Sequence, residues 1–180
     1  MTANPTQYTR TAIALHWLIA LLIFVAFPVG LYMVDLPLSP QKLKIISWHK
    51  WAGITVLALV LVRLAWRATH RPPALPDSMS GIEKLAAHGA HHLLYLLMIV
   101  VPMAGWLMSS AKGFKVVWFG VLPLPDLIGK SESLAELFES THEILAWLMA
   151  LIVVAHAAAA IKHHVVARDG ILARMLPFLK

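Results

Sequence analysis

The chain has 180 residues, of which 59% are hydrophobic and only 13% are charged, and its mean hydropathy is +0.74. A soluble domain of this length does not need so much apolar surface, so the composition favours an integral membrane protein. The net charge of +6 would suggest a nucleic-acid partner in a soluble protein, but basic residues in a membrane protein face anionic lipid head groups. We therefore expect lipid and no nucleic acid.

Four apolar stretches reach the length of about 20 residues that a helix needs to cross a bilayer. They cover approximately residues 11–34, 45–64, 87–108 and 144–161. The first is too long for the apolar region of a signal peptide and has no small-residue cleavage site after it, so it is predicted to be a retained helix. We predict one all-α domain over residues 1–180, a four-helix bundle within the membrane.

The loops between these stretches differ in character. The segment 67–77 is rich in proline and is predicted to be an extended connector. The segment 116–129 is apolar but interrupted by glycine and proline, so it is too short to cross and is predicted to lie at the outer interface. Ser133 followed by Glu136 fits a capping box, which predicts a short outer helix ending near Ser140.

The distribution of basic residues predicts the orientation. Nine of the 15 Lys and Arg residues lie at the end of the bundle that holds both termini, and six lie at the opposite end. The positive-inside rule counts bases rather than net charge. Both termini are therefore predicted to be cytoplasmic.

Four histidines occur at matched depths in these spans. His142 and His156 are 14 residues apart in the last span, which corresponds to about four helical turns and a rise of about 21 Å on one face. Counting along the helices places His16 at the inner level of His156, and His49 at the outer level of His142. An imidazole in the membrane is costly and usually has a partner. The sequence thus predicts two pairs, one near each membrane surface.

The residue types narrow the metal that such pairs could hold. The chain has no cysteine, which excludes iron–sulfur clusters, thiolate zinc and a c-type haem attachment. Zinc bound by histidines alone needs three or four nitrogens converging on one point. Two haems b, stacked across the membrane, remain: His16 and His156 would ligate the inner iron, and His49 and His142 the outer one. The alternative for any single histidine is a hydrogen bond between helices.

Further polar residues lie near the inner level. Arg63 follows His49 by 14 residues and is predicted to bind a haem propionate, with snorkelling to lipid phosphate as the alternative. Three histidines lie near the cytoplasmic end of the third span, and one of them could replace His16 as ligand. The alternatives are that they form hydrogen bonds to a haem propionate or to a quinone, or that they simply lie at the interface. They are His88, His91 and His92.

Several motifs together resemble the bacterial cytochrome b561 family, the small di-haem type. They are Ala14-Leu15-His16-Trp17-Leu18, His49 with Gly53, His88-Gly89-Ala90-His91 before Leu94-Tyr95-Leu96, Thr141-His142-Glu143, and His156 with four alanines before His163-His164. The resemblance covers residues 8–177 and implies that the four matching histidines are the haem ligands. The most similar members look like superoxide oxidases of the bacterial inner membrane, which implies that superoxide is oxidised and ubiquinone reduced.

Two groups of residues fit that activity. Lys42, Lys44 and Lys50, with Lys112 and Lys115, could steer the superoxide anion toward the outer haem; the alternative is that they anchor lipid head groups. His163 and its neighbour His164 end the fourth helix on the cytoplasmic side, where an imidazole could bond a quinone and relay protons, or else be solvated.

Three functions of different classes follow. The first is a superoxide:quinone oxidoreductase that oxidises superoxide on the periplasmic side. The second is an electron-transfer cytochrome b subunit that links the quinone pool to a partner dehydrogenase or periplasmic carrier. The third is a membrane scaffold without haem. The sequence predicts no particular oligomeric state.

Overall fold

The computed structural model describes residues 7–179, so Lys180, one of the bases counted at the terminal end, lies outside it. Four long helices account for most of the chain: α1 Arg10–Val34, α2 Pro40–Thr69, α3 Gly81–Lys112 and α4 Glu132–Lys162. All four are long and apolar enough to cross a membrane. The helices extend beyond the predicted apolar stretches at nearly every end, since helical structure continues into the polar layer.

Each helix begins at a hydroxyl residue that caps a free backbone N–H group. The N-caps are Thr9, Ser39, Ser80 and Ser131. Ser80 forms a reciprocal capping box with Glu83, whose carboxylate accepts from the Ser80 backbone N–H at 3.0 Å. These caps supply acceptors that the first turn of a helix otherwise lacks.

The start of α4 corrects one prediction. The cap is Ser131 rather than Ser133, and its hydroxyl accepts from Leu134 N at 3.4 Å. No separate outer helix ends near Ser140, because α4 continues without a break from Glu132 to Lys162. The segment contains neither glycine nor proline, so nothing in it interrupts the backbone hydrogen bonds.

Neighbouring helices pack in sequence order, with α1 against α2, α2 against α3, and α3 most extensively against α4. A small core forms where Leu97 and Val101 of α3 meet Met149 of α4. Many large apolar side chains point outward instead, among them Phe24, Leu151 and Val154. Such a surface suits lipid, which is as apolar as these side chains.

The segment between α3 and α4 folds back over one end of the bundle. It forms a small antiparallel hairpin of β1 Val117–Trp118 and β2 Leu122–Pro123. Tryptophan indoles fasten it: Trp51 Nε1 donates to Val117 O at 2.6 Å, and Trp118 Nε1 donates to Thr55 Oγ1 at 3.1 Å. The segment therefore lies on the end of the bundle and does not cross it.

The C-terminal segment covers the opposite end. After α4 the chain makes a π-helical turn at His163–Ala167 and two short 3₁₀ turns at Leu172–Arg174 and Pro177–Leu179. Trp17 Nε1 donates to Met175 O at 2.8 Å, and Arg174 Nη1 donates to Ala74 O at 2.6 Å. These bonds tie the segment to α1 and to the connector between α2 and α3.

Candidate functional site

Two imidazoles face each other near the hairpin end of the bundle. The ring centroids of His49 on α2 and His142 on α4 are 6.0 Å apart, and the ring planes are inclined by 82°. His49 Nδ1 lies 3.1 Å from Ala26 O, and His142 Nδ1 lies 2.9 Å from Val101 O. A carbonyl only accepts, so each Nδ1 carries the proton. Each Nε2 therefore keeps its lone pair and is available to a metal.

Two glycines make room for these rings. A Cβ on Gly30 would lie 3.0 Å from His49 Cε1, and a Cβ on Gly105 would lie 3.1 Å from His142 Cε1. Gly30 lies one helical turn after Ala26, whose carbonyl accepts from His49. Gly105 lies one helical turn after Val101, whose carbonyl accepts from His142. The sequence reasoning missed both residues. The available signal was an isolated glycine inside an apolar helix, which often marks a close approach.

A second group of imidazoles lies toward the other end. His16 on α1 and His156 on α4 have ring centroids 6.3 Å apart. His91 on α3 also approaches His156, with a centroid separation of 5.3 Å. The structure thus brings both predicted partners of His156 beside it.

The paired geometry fits two imidazoles on opposite sides of one metal. Metal–imidazole bonds are about 2 Å long, so two imidazoles that hold one metal between them would have ring centroids about 6 Å apart. The separations of 6.0 and 6.3 Å match this value. Within residues 7–179 no three His, Asp or Glu side chains are arranged to hold a metal ion, as histidine-bound zinc would need. Each pair of imidazoles therefore fits a haem iron, which two histidines can hold, better than it fits histidine-bound zinc.

The model of the prokaryotic cytochrome b561 family matches residues 7–178. The chain belongs to this family. It is 33% identical over 176 residues to cytochrome b561 homolog 2 of Escherichia coli strain K12, a match that covers 97% of the chain and 94% of the relative. It is 31% identical over 173 residues to a probable superoxide oxidase CybB of Yersinia pestis, covering 95% and 96%. Cytochrome b561 homolog 1 of E. coli is 26% identical over 182 residues, covering 95% and 97%.

Family membership sets the general activity. As a cytochrome b561, the chain is a multi-pass bacterial membrane protein that transfers electrons, and the family implies b-type haem. The four long apolar helices agree with this.

Arg63 of this cytochrome b561 lies near the second group of imidazoles, that of His16 and His156. Its Nε donates to Tyr95 Oη at 2.9 Å, and its Nη1 donates to Ala12 O at 2.9 Å, one turn before His16. The guanidinium therefore lies close to the level of His16, and further N–H groups remain for an anionic group. Tyr8 lies nearby; burial raises the pKa of its phenol, and the neighbouring arginines oppose that shift.

The other histidines near this end of the bundle differ in their exposure and in their hydrogen-bond partners. His88 and His92 are exposed, and His92 Nδ1 donates to His88 O at 2.7 Å, so the structure does not bring them to the inner pair. His163 is partly buried and its Nδ1 lies 2.5 Å from Asp169 Oδ2. Asp169 was not singled out from the sequence, and a lone acid in a basic tail gives no signal there.

The predicted lysines differ in their contacts. Lys42 Nζ donates to Val34 O at 3.1 Å and to Leu36 O at 2.6 Å, so it caps the end of α1. Lys44 Nζ lies 5.1 Å from the Trp48 ring centroid, and Lys50 Nζ lies 5.9 Å from that of Phe114. Lys112 is paired with Glu139 at 2.9 Å. Lys44 and Lys50 therefore have no carboxylate partner within the part of the chain that the structure describes.

Proposed function

We propose that this chain is a superoxide:quinone oxidoreductase of the bacterial inner membrane. It would take electrons from superoxide at the hairpin end, on the periplasmic side, and deliver them to ubiquinone at the end that holds both termini, on the cytoplasmic side. The observation that carries the proposal is the presence of two facing imidazole pairs at two depths of one bundle.

In this proposal His49 and His142 would hold the outer haem b, and His16 and His156 would hold the inner one. His16 is preferred to His91 because its ring centroid lies 6.3 Å from that of His156, which leaves room for one iron between the two rings, whereas 5.3 Å is short. A haem b with two histidine ligands supplies one-electron redox chemistry and has no open position for substrate. Both pairs share α4, where 14 residues separate the ligands by about 21 Å.

The protein's own residues have separate tasks. The carbonyls of Ala26 and Val101 hold the outer rings in one tautomer. Arg63 would bind a propionate with the N–H groups that Tyr95 and Ala12 leave free. Exposed lysines at the hairpin end would raise the local concentration of a small anion.

The reaction balances with two superoxide anions for each quinone. Two superoxide anions lose one electron each and become two dioxygen molecules, while one quinone takes up two electrons and two protons and becomes a quinol. Protons are therefore needed only where the quinone is reduced. The relative named as a probable superoxide oxidase, 31% identical over 173 residues, supports this reading.

The test is quinone-dependent consumption of superoxide by the purified protein in detergent. We expect enzymatically generated superoxide to reduce the haems, and ubiquinone to reoxidise them. Added superoxide dismutase should abolish the reduction. If quinol reduces the haems and superoxide does not, the result would support the electron-transfer subunit instead. If the purified protein shows no haem absorbance, the result would support the membrane scaffold without haem.

A further inference from the structure

The end of α4 is built around a contact between a histidine and a carboxylate. Past Lys162 the helix widens into the π-turn, and Arg168 adopts a left-handed conformation with φ of 51°. This reversal returns the chain toward its own helix, so that the Asp169 N–H lies 3.4 Å from His163 O. As a result Asp169 Oδ2 lies 2.5 Å from His163 Nδ1.

Both carboxylate oxygens of Asp169 are engaged. While Oδ2 accepts from His163, Oδ1 accepts from the Ile171 N–H at 3.1 Å. The side chains of His163 and Asp169 are only 12% and 6% exposed. In the two lysine–glutamate pairs of the described residues, by contrast, the side chains are 33% to 58% exposed. Water competes weakly with a contact so enclosed, so the imidazole is held in one orientation.

The carboxylate also decides which nitrogen reacts. An ionised carboxylate only accepts, so Nδ1 of His163 keeps its proton, and Nε2 is the nitrogen that can exchange a proton with another molecule. His164, the next residue, borders a surface pocket with Arg168 and Gly170 and has no carboxylate at hydrogen-bond distance within residues 7–179. The two adjacent histidines are therefore chemically different.

We infer that Asp169 is a positioning residue, which fixes the tautomer and orientation of His163 so that Nε2 delivers protons to a quinone reduced at the inner end. His163 follows His156 by seven residues, or about two helical turns, toward the terminal end. In each transfer Nε2 takes a proton from the cytoplasmic side, which gives an imidazolium next to the Asp169 carboxylate, and then passes that proton to a quinone oxygen. The inference rests on the proposed function, since that function supplies the electrons.

The experiment isolates the quinone step. Purified holoprotein is reduced with stoichiometric dithionite without oxygen and mixed with a short-chain ubiquinone, and haem reoxidation is followed at several quinone concentrations. Asp169→Asn retains an oxygen for Ile171 N–H, but its amide donates to Nδ1. Nδ1 then carries no proton, and the imidazolium that has to donate from Nε2 is no longer stabilised. We expect the saturating rate to fall about 10- to 100-fold with little change in KM.

Three further variants separate positioning from a structural role. His163→Ala should be as slow as Asp169→Asn, and the double variant should be no slower than either, because both act on one proton transfer. Asp169→Glu should recover part of the rate. Asp77→Asn, which changes an exposed acid in the connector at the same end, should leave the rate unchanged.

The outcomes are distinct. A wild-type rate in Asp169→Asn, or losses that add up in the double variant, would overturn the positioning role while leaving the proposed function intact. If reduced wild-type protein is not reoxidised by ubiquinone at all, the proposed function fails and the inference fails with it. Haem content and spectra of each variant show whether it has folded.

Discussion

At the scale of single residues, the backbone does much to prepare the outer imidazoles. His49 and His142 each donate from Nδ1 to a carbonyl of a neighbouring helix, which leaves Nε2 free in both rings. A histidine ligand whose second nitrogen is bonded in this way has a fixed tautomer and a fixed ring plane. The inner rings show no such bond within residues 7–179; instead the ring of His16 lies edge-on against Trp17 at 5.1 Å.

The first prediction concerns ligation. Because each iron needs two nitrogens, His142→Ala should lose mainly the outer haem and His156→Ala mainly the inner one. Haem per protein and reduced-minus-oxidised spectra of the purified variants measure this.

His91→Ala is the matched control for those variants, because His91 also lies beside His156 but at the shorter separation of 5.3 Å. It should keep two low-spin haems. Loss of one haem in His91→Ala, with two retained in His16→Ala, would show that His91 is the inner ligand.

The second prediction concerns the glycine beside His142. Gly105→Ala would place a methyl group about 3.1 Å from the His142 ring, and overpacking of this kind costs about 1–3 kcal/mol. Gly89→Ala in the same helix meets nothing within 4 Å, so it should gain up to about 1 kcal/mol from helix propensity. We expect Gly105→Ala to lower the outer-haem content and the melting temperature in detergent, and Gly89→Ala to lower neither. Equal behaviour of the two variants would contradict the packing argument.

These residues also show how far the sequence predicts the site. The depths of His16, His49, His142 and His156 follow from counting along helices, because the rise per residue is constant. Their roles as haem ligands stay predictions. Gly30, Gly105 and Asp169 were not predicted, since their contacts depend on how one helix faces the next and on how the chain turns after α4. Neither property can be predicted from the spacing of apolar and polar residues along a single helix.

At the scale of elements, the four helices were predictable because a stretch of about 20 apolar residues in a membrane can satisfy its backbone hydrogen bonds within the segment only as a helix. Their ends were less so. The expectation of a short helix from Ser133 was wrong because Ser131 offers an earlier cap, and no residue between it and Lys162 breaks the helix. The hairpin itself was not predicted, since two-residue strands leave no periodic pattern, and the interfacial position of its segment stays a prediction.

The third prediction concerns the attachment of this hairpin segment to α3. Ser110 is 2% exposed; its Oγ donates to Trp106 O at 3.1 Å and accepts from the Leu127 N–H at 3.1 Å. Ser110→Ala removes the acceptor of the Leu127 N–H, and the loss of one such partly buried hydrogen bond costs about 0.5–1.5 kcal/mol. Hydrogen exchange at the Leu127 amide should therefore become faster. Ser109→Ala is the control, because its buried side chain takes no part in this contact, and unchanged exchange in Ser110→Ala would argue against the attachment.

At the scale of the whole molecule, the fourth prediction concerns orientation. The chain has no cysteine, so single cysteines report topology without background. Asp77→Cys lies in the exposed connector at the end of the termini, and Gly129→Cys lies in the exposed segment at the hairpin end. If the termini are cytoplasmic, a membrane-impermeant thiol reagent added to intact spheroplasts should label Gly129→Cys and spare Asp77→Cys until the membrane is opened. The reverse pattern would invert the proposed direction of electron flow.

The distribution of free positive charge over the two ends leads to the fifth prediction. Lys44 and Lys50 contact aromatic rings at the hairpin end, whereas Lys42 is held by backbone carbonyls and Lys112 by Glu139. Lys44 and Lys50 therefore remain available to attract an approaching anion, and the test omits Lys42 because removing it would also disturb the end of α1.

Screening acts over about 10 Å at 0.1 M salt, so reduction of the haems by superoxide should become slower as salt is added. Replacing both residues, Lys44→Gln with Lys50→Gln, should lower the low-salt rate several-fold and flatten its salt dependence, because steering raises encounter rates by about 10-fold or more. Lys84→Gln, which removes a charge at the opposite end of the bundle, should change neither quantity. Stopped-flow absorbance of the haems measures both rates, and spectra check that ligation is intact. A rate indifferent to salt and to both lysines would mean that superoxide reaches the outer haem without electrostatic guidance from this surface.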